Sequence, residues 1–277
     1  MMSKILIYVD DLKHLDDYRK VGVSAFLFAI NDYSVGYNTY SLEEIKNIPV
    51  SNKYIILNRV LDCKDVDSLR QILPTIATDP NIKGIVFEDI AVYNLVHDLG
   101  LNLETILFQN HFASNVHSVN FWLNRVEMVM LNNEITADEI SYILEHANRP
   151  VCVHLYGYNQ VMYSRRLLLT NWSEEFNISP KFTNILEDKA THVKFRAMEN
   201  TYGTVMYSDK IYNGSVTMAL PHQEKIKYYY VNTTMIPHEQ IMTFLKNLEN
   251  SNINPDNNED DGFLNKETIY KLKERNK

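Results

Sequence analysis

Seven short apolar runs recur along the chain up to about residue 156, and each is followed by a polar turn and a stretch with helical spacing. They are "KILIYVD", "SAFLFAI", "KYIILN", "KGIVFED", "ETILFQN", "EMVML" and "PVCVHLY". Runs this continuous in Ile, Val, Leu and aromatics suit strands buried on both faces, which usually means a parallel sheet. An eighth candidate, "KIKYYYVN" from Lys225 to Asn232, precedes the helix candidate "PHEQIMTFLKNL", where Pro237 suits a first turn. Eight such units in 277 residues match the span of one α/β barrel, typically about 250 residues. The expected fold is therefore α/β: a TIM-barrel-like parallel (β/α) barrel, with a small β-region inserted near the C-terminal third.

Helix starts are readable. "SLEEI" at Ser41 and "TADEI" at Thr136 match the capping box, in which a hydroxyl and a carboxylate three residues on satisfy exposed amides. Pro74 lies inside the helical pattern "DVDSLRQILPTIA", so a kink or break is expected there. Between Trp172 and Lys225 the pattern changes to hairpin-like pieces such as "HVKFRAMENTYGTVMYSDKIYNGSVTM". The expected organisation is one barrel-like domain over residues 1–248, with 173–224 as the inserted hairpin region. A polar linker and tail, containing "ENSNINPDNNEDDG", is expected over 249–277.

Composition narrows the functional classes. A net charge of −8 argues against a surface that grips nucleic acid everywhere, although a local basic cleft remains compatible with it. No window approaches the roughly 18 uninterrupted apolar residues of a membrane span, and the first residues lack a signal peptide's apolar stretch. The chain reads as cytoplasmic, with no membrane partner. Two cysteines, Cys63 and Cys152, cannot supply the four thiolates of an ordinary iron–sulfur cluster, so no such cofactor is expected. The eight glycines never fall as G-x-G, and no G-x-S-x-G elbow occurs. "HEQIM" at His238 opens like a zinc-protease helix but has Met242 where the second histidine must stand, so no metal ligands are expected.

In a parallel barrel, functional groups gather where strands end. Here those positions carry Asp10 and Asp11, Asn31, Asn58 and Arg59, Glu88 and Asp89, Gln109 and Asn110, Asn132 to Glu134, and His154. Asn and Asp also favour turns, so a plain hydrophilic rim accounts for the same pattern. Glu134 is a candidate general base or hydrogen-bond acceptor, and equally a solvated loop carboxylate ahead of the Thr136 cap. His154 lies within an apolar strand, as a ligand contact or a satisfied core histidine. The stretch "GYNQVMYSRRLLLTNW" holds the chain's adjacent arginines, Arg165 and Arg166, which must diverge on either a strand or a helix. One can take a carboxylate or an anionic ligand while the other faces solvent. Tyr156, Tyr158 and Tyr163 stand near enough in sequence to stack with it or with a base.

The run "NVHSVNFWLNRVEMVMLNNEITADEISYILEHANRPVCVHLYGYNQVMYSRRLLLTNW" resembles the signature region of the collagenase-like peptidase family U32. Asn115, Ser118, Phe121, Trp122, Glu134, Gly157, Ser164, Arg166 and Leu168 fall on the family's pattern. "VGVSAFLFAINDYSVGYNTYSLEEI", "ENTYGTVMYSDKIYNG" and "GFLNKETIYKLK" extend the similarity outward, the last to the family's smaller Bacilli-type members. The resemblance implies a barrel-like α/β fold. It also implies either the peptidase activity of the family label or a part in oxygen-independent hydroxylation of tRNA, ribosomal RNA or a quinone precursor, which such members perform with a four-cysteine cluster. This chain departs at the cysteines: Gln160 stands at the first signature position and Leu167 at the second, while Tyr156 replaces the histidine before Gly157. The implied role is then a cluster-less accessory subunit that binds tRNA or a cluster-bearing paralogue. The alternatives are a peptidase or hydrolase, with Glu134 and His154 as catalytic candidates, and a small-anion-binding barrel. The binding candidates are Gln109, Asn110, Tyr158, Tyr163, Arg165 and Arg166.

Overall fold

The apolar runs become strands. The computed structural model describes residues 2–179, 181–249 and 258–266. In chain order the strands are β1 (Ile5–Tyr8), β2 (Ala25–Ile30), β3 (Thr39–Tyr40), β4 (Lys53–Leu57), β5 (Ile82–Phe87), β6 (Glu104–Leu107), β7 (Met128–Val129), β8 (Val151–Ser164), β9 (Thr183–Glu187), β10 (Lys194–Asn200), β11 (Gly203–Asn213), β12 (Ile226–Val231) and β13 (Glu259–Asp260). The helices are α1 (Leu15–Lys20), α2 (Leu42–Asn47), α3 (Cys63–Ala77), α4 (Ile90–Asp98), α5 (Val116–Leu123), α6 (Ala137–His146), α7 (Leu168–Glu175) and α8 (His238–Glu249). They form one mixed α/β fold around a mostly parallel sheet, ordered β7-β6-β5-β4-β2-β1-β12-β8-β11-β10-β9.

Eight of these strands, β7 through β8 in that order, run parallel. Their alternate residues bury on two faces, and each buried Leu, Ile or Val contributes about 1.5–3 kcal/mol. One face meets the helices. The other forms a separate cluster to which all eight strands contribute, including Leu6, Tyr8, Leu27, Tyr54, Ile106 and Tyr230.

The expectation of a continuous barrel ladder is met only in part, because the ladder does not close. Strand β7 keeps two residues, since the Thr105 N–H that would extend its pairing with β6 donates to the Glu127 carboxylate at 2.7 Å. Beyond β7, a single parallel bridge joins Met130 to Cys152 of β8, and Leu131 N–H donates to Cys152 O at 2.9 Å.

Strand β8 changes partners midway. Val151–Tyr156 pairs parallel with β12, whereas Tyr156–Ser164 pairs antiparallel with β11. Gly157 sits at the changeover with φ +130°, and a Cβ there would lie 2.4 Å from Asn232 O. The region beyond folds as the antiparallel set β9–β11.

Two expectations differ in detail. Helix α3 runs unbroken through Pro74, although an interior proline costs about 3 kcal/mol. Burial of Leu69, Leu73 and Ile76 on the same helix offsets that. In the polar stretch expected as a linker, residues 250–257 lie outside the described set, as do 267–277. Residues 258–266, however, dock: β13 pairs with β11, Leu264 is buried, and Leu264 O accepts from Ala137 N at 2.9 Å. No helix among the described residues is long and apolar enough to cross a membrane.

Candidate site at the C-terminal ends of the strands

A cavity of about 420 Å³ opens where β5 and β6 end, with the outer half of β8 as its far wall. Glu88 and Asp89 follow β5, Gln109 to Phe112 follow β6, and Gln160 and Tyr163 project from β8. Strand ends supply such residues because an apolar run must stop where the chain turns toward water. Gln109 Nε2 donates to Glu88 O at 2.8 Å, tying the two turns together. Asp89 is consumed structurally: it caps α4 through Ala91 N–H at 2.9 Å and accepts from Leu61 N–H at 3.0 Å. No lysine or arginine is among the described residues lining this cavity.

Glu88 is the unusual member. Burial raises its carboxyl from the ordinary range to about 8, only partly opposed by a hydrogen bond from Asn58. At neutral pH it is mostly a neutral acid with an O–H to donate. Asp10, at the end of β1, is raised to about 6, chiefly by burial. On the cavity's outer edge, His111 Nδ1 lies 2.7 Å from Glu134 Oε2, both about half exposed.

The sequence-derived candidates separate into three groups. Gln109, Asn110 and Tyr163 line this cavity. Glu134 reaches it only through His111. His154 does not join Glu134: it is 5% exposed, stacked beside Tyr212 and tilted against Tyr230. Its Nε2 donates to Tyr156 O at 3.1 Å, and burial holds it near 4, so it is neutral.

Arg165 and Arg166 are exposed on the chain just past Tyr163; Arg165 Nη2 stands 4.0 Å from Asp62, and neither lines the cavity. Tyr158 faces a different cavity of about 810 Å³, beneath the Arg196 guanidinium at 4.2 Å. The stacking expected of Arg165 or Arg166 is instead made by Arg196 on Tyr158 and by Arg59 on Tyr202 at 4.0 Å.

Sequence reasoning passed over His111 and Gln160 as site residues, and noted Glu88 only as one strand end among several. The available signal for Glu88 was its place at the end of "GIVF", where a carboxyl directly after four apolar residues is drawn toward the interior. Neither cysteine reaches the cavity: Cys63 begins α3 in solvent, and Cys152 is buried, its thiol pushed up to about 12 by desolvation.

These features define a parallel α/β protein with a polar, uncharged-to-acidic cavity at the C-terminal ends of its strands. The model of peptidase family U32 matches residues 38–177, just over half of the chain, and the chain belongs to that family. The matched segment contains Glu88, Gln109, Glu134, Gln160 and Arg166. Among solved structures, the U32 peptidase Mk0906 is 12% identical, with 84% of this chain and 94% of that one covered at a TM-score of 0.51. That likeness is one of fold. The spore cortex-lytic enzyme SleL of Bacillus cereus is 10% identical over 87% of this chain and 73% of its own, at a TM-score of 0.44. No curated protein matches the sequence.

Proposed function

We propose that this U32-family chain is a cluster-less accessory subunit in hydroxylation-type modification of tRNA or ribosomal RNA, holding an unstacked nucleobase while a cluster-bearing paralogue supplies the redox chemistry. The observation that carries the reading is Gln160. At the position of the first signature cysteine the cavity holds an amide, and no thiol lies near. Gln109, Asn110 and Gln160 each offer a donor and an acceptor, and neutral Glu88 adds an O–H. Phe112, 67% exposed, and Tyr163 offer ring faces. Amide edges beside aromatic faces are how single-stranded RNA bases are recognised. A cavity lined by no lysine or arginine favours a base over a phosphate, while exposed Arg165 and Arg166 are available to the backbone. The reading also takes the C-terminal ends of the eight parallel strands as the functional face.

Fluorescence anisotropy with unmodified tRNA and a short pyrimidine-rich single strand tests this. Binding with a shallow salt slope is expected, because few phosphates are neutralised. Gln160→Leu should weaken it about tenfold and the Arg165→Glu, Arg166→Glu double variant should remove most of the salt dependence. Absence of binding at low salt would overturn the proposal, as would binding indifferent to both variants. Co-purification of a paralogue from the native host tests the partner role.

A second reading, hydrolysis of peptides, is favoured by one observation. A neutral carboxyl, Glu88, and the His111–Glu134 pair border the same cavity, an arrangement suited to a general acid and a general base acting on water. Gelatin or peptide-library cleavage that disappears in both Glu88→Gln and Glu134→Gln would establish it, and cleavage unchanged in them would dismiss it.

A further inference from the structure

Outside the cavity, the fold gathers a group of metal-ligating side chains that is invisible in the sequence. His14 ends the turn after β1 and caps α1, Asp17 lies in that helix's first turn, and His238 opens α8 after β12. One ligand atom from each lies within 4.8 Å of the others. His14 and His238 rings are stacked with centroids 3.6 Å apart, and His238 Nε2 lies 3.2 Å from Asp17 Oδ2. We propose that His14, Asp17 and His238 form a binding site for a first-row divalent cation, Zn²⁺ foremost, which clasps α8 to the N-terminal helix.

Three features carry this. The donor set, two imidazoles and one carboxylate, is the type that Zn²⁺ and its neighbours take, and three protein ligands leave a position for water. His238 Nδ1 is buried and faces no hydrogen-bonding partner among the described residues. The ring therefore loses at most one hydrogen bond when its Nε2 proton moves to Nδ1 and the freed lone pair goes to a cation. The fold already holds one ligand atom from each of the three within 4.8 Å of the others, drawn from two helices that are far apart in sequence. Zn–N bonds of about 2.0–2.1 Å set donors a little over 3 Å apart, so the three must draw together by roughly an ångström or more. All three residues are partly exposed, which leaves room for that rotation. Lys20, 3.0 Å from Asp17 Oδ1, occupies the other carboxylate oxygen and leaves Oδ2 for the ion.

The site is independent of the RNA reading. Full-length protein, stripped with chelator and dialysed, is titrated with ZnCl₂ by calorimetry and with CoCl₂ by visible absorption. One equivalent should bind, and cobalt should give the intense bands of a low-coordinate N/O site. His14→Ala and His238→Ala should each weaken binding at least a hundredfold, Asp17→Asn about tenfold. Zn²⁺ should raise the wild-type melting temperature and leave both histidine variants unmoved. Melting of the metal-free variants close to wild type separates lost ligation from lost folding. No saturable binding, or binding that survives both histidine substitutions, overturns the proposal.

Discussion

The two ends of the parallel sheet carry similar polar residues and treat them in opposite ways. At the N-terminal end, ionisable groups are used up by one another. Lys53 is fully buried, its Nζ donating to Ile45 O at 2.7 Å and Lys46 O at 2.9 Å, with Asp79 at 3.6 Å. Tyr54 Oη donates to Glu104 at 2.5 Å and meets Tyr228 Oη at 3.1 Å. At the C-terminal end, Glu88 has one weak opposing bond and is left neutral, and Gln160 faces a cavity. Buried polar groups with complete partners stabilise a unique packing, and those without them are available for chemistry or ligands. The contrast separates an end whose polar groups are tied to one another from an end where a raised carboxyl and an amide face open space.

The largest effect should come from breaking the consumed end. Lys53→Met removes the cation beside the nearly buried Asp79 carboxylate, which keeps only the Asn81 N–H, and strips the donor from the Ile45 and Lys46 carbonyls near the end of α2. A loss of about 3–5 kcal/mol is expected, read from urea unfolding. Tyr54→Phe, which strips one donor from Glu104, should cost about 1–3 kcal/mol. If both fell below about 0.5 kcal/mol, the two ends would not differ as argued.

Next in size is the pH response of Glu88. Its folded value, about 8, lies above the ordinary 4.5, so the folded state holds a proton that the unfolded chain has released. Stability from this group is therefore full below about pH 4.5 and falls as pH rises to about 8. Glu88→Gln carries no such dependence. Relative to wild type, the variant should gain about 1–3 kcal/mol between pH 5 and pH 8, a range set below the full shift because the residue is only partly buried. Parallel unfolding curves at the two pH values would refute the raised carboxyl. His154 shifts the opposite way: held near 4, it withdraws stability as pH falls from 6.5 toward 4. Below pH 6 the two slopes oppose, so the Glu88→Gln variant also exposes the histidine's share.

How much of this was readable beforehand follows from the range of the interactions. The strands were legible because two-sided burial leaves near-continuous apolar runs, and the capping boxes at Ser41 and Thr136 form as their local chemistry requires. The short β7 was not legible, since the Glu127 bond that replaces its pairing comes from a side chain. Nor was the second role of "YGYNQVMYS", which continues one strand through Gly157 into the hairpin region. For the site, Glu134 and His154 drew attention because each stood at a strand end or inside a strand. Their side chains turn to different partners, His111 and the Tyr212–Tyr230 pair. Pairings such as His111 with Glu134, 23 residues apart, or His14 with His238, depend on closure of the fold and leave no periodic trace.

The smallest effect is expected at the outer edge of the cavity. His111 Nδ1 and Glu134 Oε2 are hydrogen-bonded at 2.7 Å, but with about half of each side chain exposed the contact should contribute no more than about 0–1 kcal/mol. Glu134→Gln should therefore leave the urea midpoint nearly unchanged, in contrast to Lys53→Met at the other end. If the C-terminal end is kept for ligands, the same substitution should still alter what the cavity does, because it frees the His111 ring to turn. Ligand binding should change several-fold with stability constant. A stability loss above about 2 kcal/mol without any change in binding would assign the pair to the framework, and the division between the two ends would fail at this residue.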